Sequence, residues 1–155
     1  MNEVHVWRTK PDRGRWALRQ VLARYLNEDP AEIELRTGEH GKPALADPAA
    51  TLRFNLSHSG ELALVAVTQG REVGVDVQKI KPHRDIAFYE GWARREAIVK
   101  CLGTGLLAPL PPDPVTVRPL EAGPRFAAAL AVAGNEVPPL RLFLLPPIRQ
   151  RRDIG

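Results

Sequence analysis

The chain has 155 residues and a net charge of +4, with 44% hydrophobic and 26% charged residues. This is enough apolar material for the core of one domain or two small halves, and the charged fraction is ordinary for a soluble protein. The single cysteine, Cys101, excludes an intramolecular disulfide, and neither a signal-peptide pattern nor a membrane-spanning apolar stretch is found. We therefore expect a cytoplasmic protein without membrane contact whose partner is anionic: a phosphorylated small molecule, an acidic protein or nucleic acid.

The first part of the chain predicts a strand followed by a helix. Residues 4–7 alternate in the manner of a short strand. Asp12 is placed to cap the helix, and Arg15 and Arg19 lie four residues apart on one of its faces. Apolar residues recur at helical spacing on another face: Leu18, Val21, Leu22, Tyr25 and Leu26. Three further features follow in order: a turn at residues 29–30, a strand at 33–36 and a loop at 38–43.

The middle of the chain predicts three strands. Residues 52–55 form a strand that leads into the sequence Ser57-His58-Ser59. Residues 62–68 and 73–79 predict two strands that pair with each other through a turn at residues 69–70.

The last part of the chain predicts a helix at residues 87–102 that is ended by Gly103 and Gly105. The remaining features follow in order: a proline-rich connector at 108–119, strands at 125–132 and 140–145, and a frayed tail from Pro146.

Two of these elements carry oxygen ligands of the kind that Mg²⁺ prefers. Because side chains alternate along a strand, Asp76 and Gln78 lie on one surface of strand 73–79. Trp92, Glu96 and Lys100 form one stripe of the helix. If the two elements meet, Asp76 and Glu96 supply two carboxylates and Gln78 an amide oxygen, a set suited to an ion that bridges a pyrophosphate. Taken singly, Asp76 is equally consistent with a solvated strand residue, and Glu96 with an exposed ion pair to Lys100.

A second set of residues is suited to binding phosphate groups. His58 offers an imidazole between two serine hydroxyls, although Ser-His-Ser alone is also typical of a polar turn. Three cations join this set: Lys42, Arg15 and Arg19. Any one of them alone is more typical of a solvated surface residue. A serine hydrolase is not indicated, because the sequence lacks the Gly-x-Ser-x-Gly elbow.

Other functions find less support. The sequence has neither zinc-ligand spacing nor the basic-aromatic signature of an RNA-binding sheet, so a nucleic-acid partner is not expected. We expect Cys101 to be a buried small side chain and Trp92 to belong to the core.

Four motifs occur together in an order that resembles a known family. They are Gly-Lys-Pro at residues 41–43, Phe-Asn-Leu-Ser-His-Ser-Gly at 54–60, Gly-Val-Asp-Val at 74–77 and Trp-x-x-Arg-Glu-Ala-x-x-Lys at 92–100. Their order and spelling resemble the surfactin-type 4′-phosphopantetheinyl transferases, and weaker similarity extends the match over residues 13–132.

The resemblance implies an α+β fold of two similar halves related by a pseudo-twofold axis, with coenzyme A in the cleft between them. Residues 1–72 would form the N-terminal half that grips coenzyme A phosphates, and residues 73–146 the half with the metal and the catalytic helix. Residues 147–155 would be a disordered tail. The implied partners are coenzyme A and an apo acyl or peptidyl carrier protein, and the implied state is a monomer.

The resemblance also implies a role for each candidate residue. Arg15, Lys42, Ser57, His58 and Lys100 would bind coenzyme A. Asp76, Gln78 and Glu96 would bind Mg²⁺, and Asp76, Glu96 and Lys100 would be catalytic. Glu96 would help to deprotonate the carrier serine, and Lys100 would stabilise the pyrophosphate as 3′,5′-ADP departs.

The sequence departs from the family pattern at two places. Gln78 stands where many members carry a second acidic residue, and the link from Asp76 to Trp92 lacks roughly two dozen residues that members usually have. These departures motivate an alternative, namely a homologue that binds coenzyme A or a carrier protein without transfer.

Overall fold

The computed structural model describes residues 2–12, 15–38, 41–103, 114–136 and 138–145. The helices and strands follow the order β1 (Val4–Thr9), α1 (Trp16–Leu26), β2 (Leu35–Thr37), β3 (Pro43–Leu45), β4 (Leu52–Ser59), β5 (Leu62–Gln69), β6 (Val73–Lys79), α2 (Ile86–Leu102), β7 (Val115–Leu120), β8 (Phe126–Ala133) and β9 (Leu140–Leu144). The expected α+β class is thus confirmed.

The strands form two main sheets. The first has the order β4-β5-β1-β9, in which β1 and β9 are parallel and the other neighbours are antiparallel. The second has the order β6-β8-β7 and is antiparallel throughout. A small hairpin of β2 and β3 stands beside them.

Helices and sheets are stacked so that each sheet buries both faces. The central apolar cluster lies between the sheets and includes Val6 and Leu64 from the first and Val75 and Leu130 from the second. Helix α1 packs its apolar stripe on the outer face of the first sheet, and α2 packs on the outer face of the second. Because α2 lies directly on β6, residues of α2 and β6 can share one site.

The predicted pairing of strands 62–68 and 73–79 is wrong. Strand β5 pairs with β4 and β1, whereas β6 pairs with β8 in the other sheet. Residues 62–68 are buried throughout, which is the pattern of a strand covered on both faces and flanked on both sides. The short link after Gln69 therefore crosses between sheets.

Two predicted irregular segments contain strands. Strand β4 continues through Ser57-His58-Ser59, so this sequence is extended and is not a polar turn. Strand β7 overlaps residues 115–119 of the predicted proline-rich connector. Its Pro119 is tolerated because β7 is an edge strand, where one row of backbone groups needs no partner.

The two helices occur where the sequence predicts them. The N-cap position of α1 is occupied by Arg15, with φ 59°, so the expected N-cap Asp12 is not the cap residue. The Asp12 carboxylate still accepts a hydrogen bond from the backbone N–H of Ala17 in the first turn. Helix α2 begins after Asp85, whose carboxylate accepts from Phe88 N, and ends at Gly103 with φ 63°. Gly105 and the tail from Pro146 lie outside the described residues.

The structure bears on the predicted boundary between the halves and on the predicted burial of Trp92. The predicted boundary at residue 72 coincides with the crossing between sheets, but β9 returns to the first sheet and pairs with β1. Trp92 does not belong to the core, because 46% of it is exposed. None of the helices within the described ranges is both long and apolar enough to cross a membrane.

Candidate active site

Side chains of β4 bond to the backbone of β6 and so join the two sheets. Asn55, Ser57 and Ser59 accept hydrogen bonds from the N–H groups of Val75, Val77 and Lys79, at 2.9, 3.1 and 2.9 Å. We call this row of three bonds the polar ladder. Both strands are edge strands, so the ladder satisfies N–H groups that the second sheet leaves unpaired.

Two lysines complete the same edge of β6. Lys42 Nζ donates to the carbonyl oxygen of Val73 at 3.1 Å, and Lys100 Nζ donates to that of Val75 at 3.2 Å. Each lysine also reaches a carboxylate, Lys42 that of Glu72 and Lys100 that of Asp76. Both predicted phosphate ligands are therefore anchored at β6 by their own hydrogen bonds.

Asp76 lies at the centre of the candidate site. Its Oδ1 accepts from Lys100 Nζ at 3.0 Å and from Ser57 Oγ at 3.3 Å, and its Oδ2 accepts from Gln78 Nε2 at 2.8 Å. The side chain of Asp76 is 5% exposed and that of Lys100 is 29% exposed. The charged partner and the two polar donors compensate for the burial of the Asp76 carboxylate. The Lys100 side chain remains partly exposed to solvent.

A glycine allows α2 to approach β6 this closely. A Cβ atom on Gly74 would lie 2.1 Å from the carbonyl oxygen of Ala97 and 2.4 Å from the N of Cys101. Only glycine fits there, because both neighbours are helix backbone. Gly74 lies two residues before Asp76 and hence on the same side of β6. The predicted surface of Asp76 and Gln78 is thus the one that faces α2.

Glu96 lies one helical turn before Lys100, on the stripe that the sequence predicts. An offset of four residues is about 6 Å along the axis, so Glu96 flanks the Asp76–Lys100 pair. The sequence left open an ion pair between Glu96 and Lys100, but Lys100 pairs with Asp76 instead. Glu96 is partly exposed, and within the described ranges its carboxylate accepts no hydrogen bond.

Arg15 and His58 share a pocket of about 270 Å³ at the opposite face of β4. The pocket opens between the start of α1 and the end of β4, and Lys10 and Asp12 also line it. Three cationic or titratable donors therefore meet in one depression, as binding of a phosphate group requires. Arg19 donates to the carbonyl oxygen of Ile33 and is engaged elsewhere.

Lys42 lines a separate pocket of about 240 Å³ at the other end of β4. Arg36 and Arg53 contribute two further cations there, and Glu72 accepts from Lys42 and Arg53 at 3.1 Å each. Gly103, at the end of α2, closes the same pocket. Lys42 is thus brought to the end of α2 rather than to His58.

The structure separates Ser57 from His58. Adjacent residues of a strand face opposite sides, and Ser57 is buried with its hydroxyl bonded to Val77 and Asp76. The expected phosphate grip of an imidazole between two hydroxyls is therefore not formed, because Ser57 and Ser59 both belong to the polar ladder.

One feature of the site was not predicted from the sequence. Asn55 was not singled out, although it is 4% exposed and begins the ladder. The signal was present in the alternation of polar residues at positions 55, 57 and 59. Cys101 is buried as expected, and burial raises the pKa of its thiol to about 11, so it is an inert packing residue.

The residues around Asp76 fit a metal ion through oxygen donors. The described parts of the chain hold no group of three or more histidine, cysteine, aspartate or glutamate side chains close enough to share an ion. The available oxygen donors are the Asp76 carboxylate, the Gln78 amide and the carboxylate of Glu96 on α2. Rotation of the Gln78 amide would set its oxygen against Asp76 Oδ2, an arrangement that a hard cation stabilises.

Comparisons with known proteins agree on one family. A family model described as 4′-phosphopantetheinyl transferase, N-terminal, matches residues 12–70. The 4′-phosphopantetheinyl transferase HetI of Nostoc sp. is 31% identical over 164 aligned positions, which cover 78% of this chain and 69% of HetI. The transferase Sfp of Bacillus subtilis is 31% identical over 65% of this chain and 54% of Sfp. AcpT of Escherichia coli O157:H7 is 35% identical over 60% of each protein.

The chain spans between about half and about two thirds of the length of these relatives. The alignment with HetI has 164 positions yet covers only 78% of a 155-residue chain, so HetI carries residues that have no counterpart here. The matched region nevertheless includes most of the chain at an identity above the level of chance. The chain belongs to the 4′-phosphopantetheinyl transferases.

Proposed function

We propose that this protein transfers the 4′-phosphopantetheine arm of coenzyme A to a serine of an apo acyl or peptidyl carrier protein, as a transferase of the surfactin type. The observation that carries the proposal is the Asp76–Lys100 pair, which joins β6 to α2 in a chain of this family. It sets a carboxylate and an ammonium group side by side at the junction of the two predicted halves.

The proposal includes Mg²⁺ bound by Asp76, Glu96 and the amide oxygen of Gln78. When bound, the ion neutralises pyrophosphate charge and polarises phosphorus. Because Gln78 is neutral, this set of ligands carries one negative charge fewer than a set of three carboxylates. We therefore expect weak Mg²⁺ binding that strengthens in the Gln78→Glu variant, which calorimetry on the protein alone measures without reference to turnover.

The transfer is a nucleophilic substitution at phosphorus. The carrier serine oxygen forms a bond to the phosphorus of the phosphopantetheine, the bridging P–O bond of the pyrophosphate breaks, and 3′,5′-ADP leaves. Glu96, with a carboxylate that is free among the described residues, accepts the serine proton directly or through a water. Lys100 places its ammonium where negative charge grows on the leaving group.

The remaining cations would hold the phosphates of coenzyme A. Arg15 and His58 line one pocket and Lys42 another, and β4 passes between them. The first predicted half contributes α1 and three of the four strands of one sheet, and the second contributes α2 and the whole of the other sheet; this similarity supports a pseudo-twofold relation between them. Because residues of both halves would contact coenzyme A within one chain, we propose that the protein acts as a monomer. We also propose a cytoplasmic location.

The experiment that tests the proposal mixes the protein with Mg²⁺, fluorescent coenzyme A and a panel of apo carrier proteins. We expect label on the carrier serine by gel and a mass increase equal to the tagged arm. Glu96→Ala serves as the inactive control. If no carrier is labelled while calorimetry still detects coenzyme A, the proposed transfer is wrong and the chain is a binding homologue.

A further inference from the structure

The first half of α2 is largely uncovered. From Lys81 to Arg95, only Tyr89 and Ala93 are buried, although the segment carries large apolar residues. Phe88 is 38% exposed and Trp92 is 46% exposed. Their rings lie 5.8 Å apart on one side of the helix, and Arg84 stacks over Phe88 at 4.6 Å. Adjacent exposed aromatic side chains are typical of an interaction surface.

We call this surface the aromatic face and define it by Arg84, Phe88, Trp92 and Arg95. Arg95 lies three residues after Trp92 and hence on the same side of the helix. The face leads directly into the candidate site, because Glu96 is one turn beyond Trp92 and Lys100 two turns beyond it. These offsets correspond to about 6 and 12 Å along the helix axis.

Charge decides which partner fits. Residues 79–100 contain six basic and three acidic residues, and both charged members of the aromatic face are arginines. Of the acidic residues, Asp85 caps the helix and Glu96 belongs to the site. A second copy of this chain would bring arginine against arginine on a protein that is already positive, so self-association is disfavoured. An acidic partner with an apolar side chain is favoured.

We propose that the aromatic face is the docking surface for an acidic face of the carrier protein, and that it positions the carrier serine beside Glu96. This inference rests on the proposed function, because the carrier is its substrate. Trp92 and Phe88 supply the apolar anchor, and Arg84 and Arg95 attract the acidic rim. Exposed aromatic residues and arginines are the residue types enriched in binding hot spots.

Two matched pairs of variants test the docking surface with the carrier that the wild-type protein labels. Trp92→Ser and Leu142→Ser each remove one exposed apolar side chain, the second on β9 at 59% exposure. Arg95→Glu and Arg118→Glu each reverse one exposed charge. Arg118 lies on β7 facing away from α2, because its neighbour Val117 packs against the α2 cluster.

We expect Trp92→Ser and Arg95→Glu to raise KM for the carrier at least about tenfold, while the Kd for coenzyme A changes less than about twofold. The two control variants should match the wild type. Added NaCl should raise the wild-type KM for the carrier and affect Arg95→Glu less. Unchanged carrier KM in Trp92→Ser, or an equal rise in Leu142→Ser, overturns the docking surface and leaves the transferase intact.

Labelling of a carrier by the wild-type protein tests the proposed function separately from the docking surface. If the wild-type protein labels no carrier, the transfer itself is wrong, and calorimetric titration with apo carrier proteins then decides the docking surface. Carrier binding that is lost in Trp92→Ser supports the surface, and absent binding overturns it. Self-association in sedimentation velocity that Trp92→Ser abolishes also overturns it, because the occupant is then a second copy.

Discussion

At the residue scale, Asp76 combines burial with three donors from three elements. Ser57 belongs to β4, Gln78 to β6 and Lys100 to α2, so the hydrogen bonds of this one carboxylate connect all three elements of the site. Only Lys100 carries a full charge, and it remains partly open to solvent. Loss of the carboxylate charge should therefore affect chemistry more than stability.

Asp76→Asn tests this distinction. We expect label transfer to fall at least about 100-fold, because one oxygen ligand and the negative charge beside Lys100 are lost. The free energy of unfolding should fall by about 1–3 kcal/mol, because Asn keeps the size of the side chain and the partly exposed Lys100 can be hydrated. Turnover of labelled coenzyme A and urea unfolding measure the two effects. Normal turnover would contradict the catalytic role, and Glu61→Gln at an exposed pair is the control.

The Cys101 thiol predicts a change of stability at alkaline pH. Its pKa is raised by burial from 9.0 to about 11. Below pH 9 the thiol is protonated in both states. Between pH 9 and 11 the unfolded chain loses the proton first, so stability is lost as pH rises. We expect the wild type to lose up to about 3 kcal/mol more than Cys101→Ala over this range. Urea unfolding at several pH values checks this, and parallel pH profiles would refute it.

At the element scale, α2 is held at a distance from β6 that only Gly74 permits. Gly74→Ala should therefore destabilise the protein by at least about 2–3 kcal/mol or prevent folding, because helix backbone cannot give way. Gly91→Ala is the matched control, since a Cβ there meets no atom within 4 Å. We expect that control to gain about 0.5–1 kcal/mol from helix propensity. Equal midpoints in urea for both variants would contradict the close contact.

The elements themselves could be predicted where periodicity was strong. Helix α2 and strand β6 follow their predicted bounds closely, and the faces that carry Asp76 and Lys100 follow from spacing alone. Strand pairing could not be predicted, because neighbours in sequence suggest a hairpin and no local pattern reveals that β6 crosses to another sheet. A helical stripe likewise groups Trp92 with Glu96 but does not say what covers it, which is why the core assignment of Trp92 failed.

At the scale of the whole molecule, the polar ladder and the central apolar cluster connect the two sheets. We expect them to unfold together, so that tryptophan fluorescence and far-ultraviolet circular dichroism give one coincident transition in urea. Trp7 reports on the first sheet and Trp92 on α2. Two separated transitions would show that the sheets are independent units.

Asn55 tests the ladder within this unit. Asn55→Ala should lower the free energy of unfolding by about 1–3 kcal/mol, because the buried N–H of Val75 loses its acceptor. Ser59→Ala should cost less, because Ser59 is only partly buried and water can replace its hydroxyl. The midpoints of urea unfolding rank the two variants. A larger loss in Ser59→Ala than in Asn55→Ala would refute the ladder as a buried joint.

The parallel pairing of β1 with β9 sets the order in which the first sheet can form during synthesis. Val4 aligns with Leu140, so the first described strand gains its second neighbour only after residues 140–144 have left the ribosome. Until then β1 offers an open edge to other nascent chains or to chaperones. Ribosome-bound chains that stop before residue 140 should therefore be more sensitive to protease in the first sheet than chains that extend beyond residue 145.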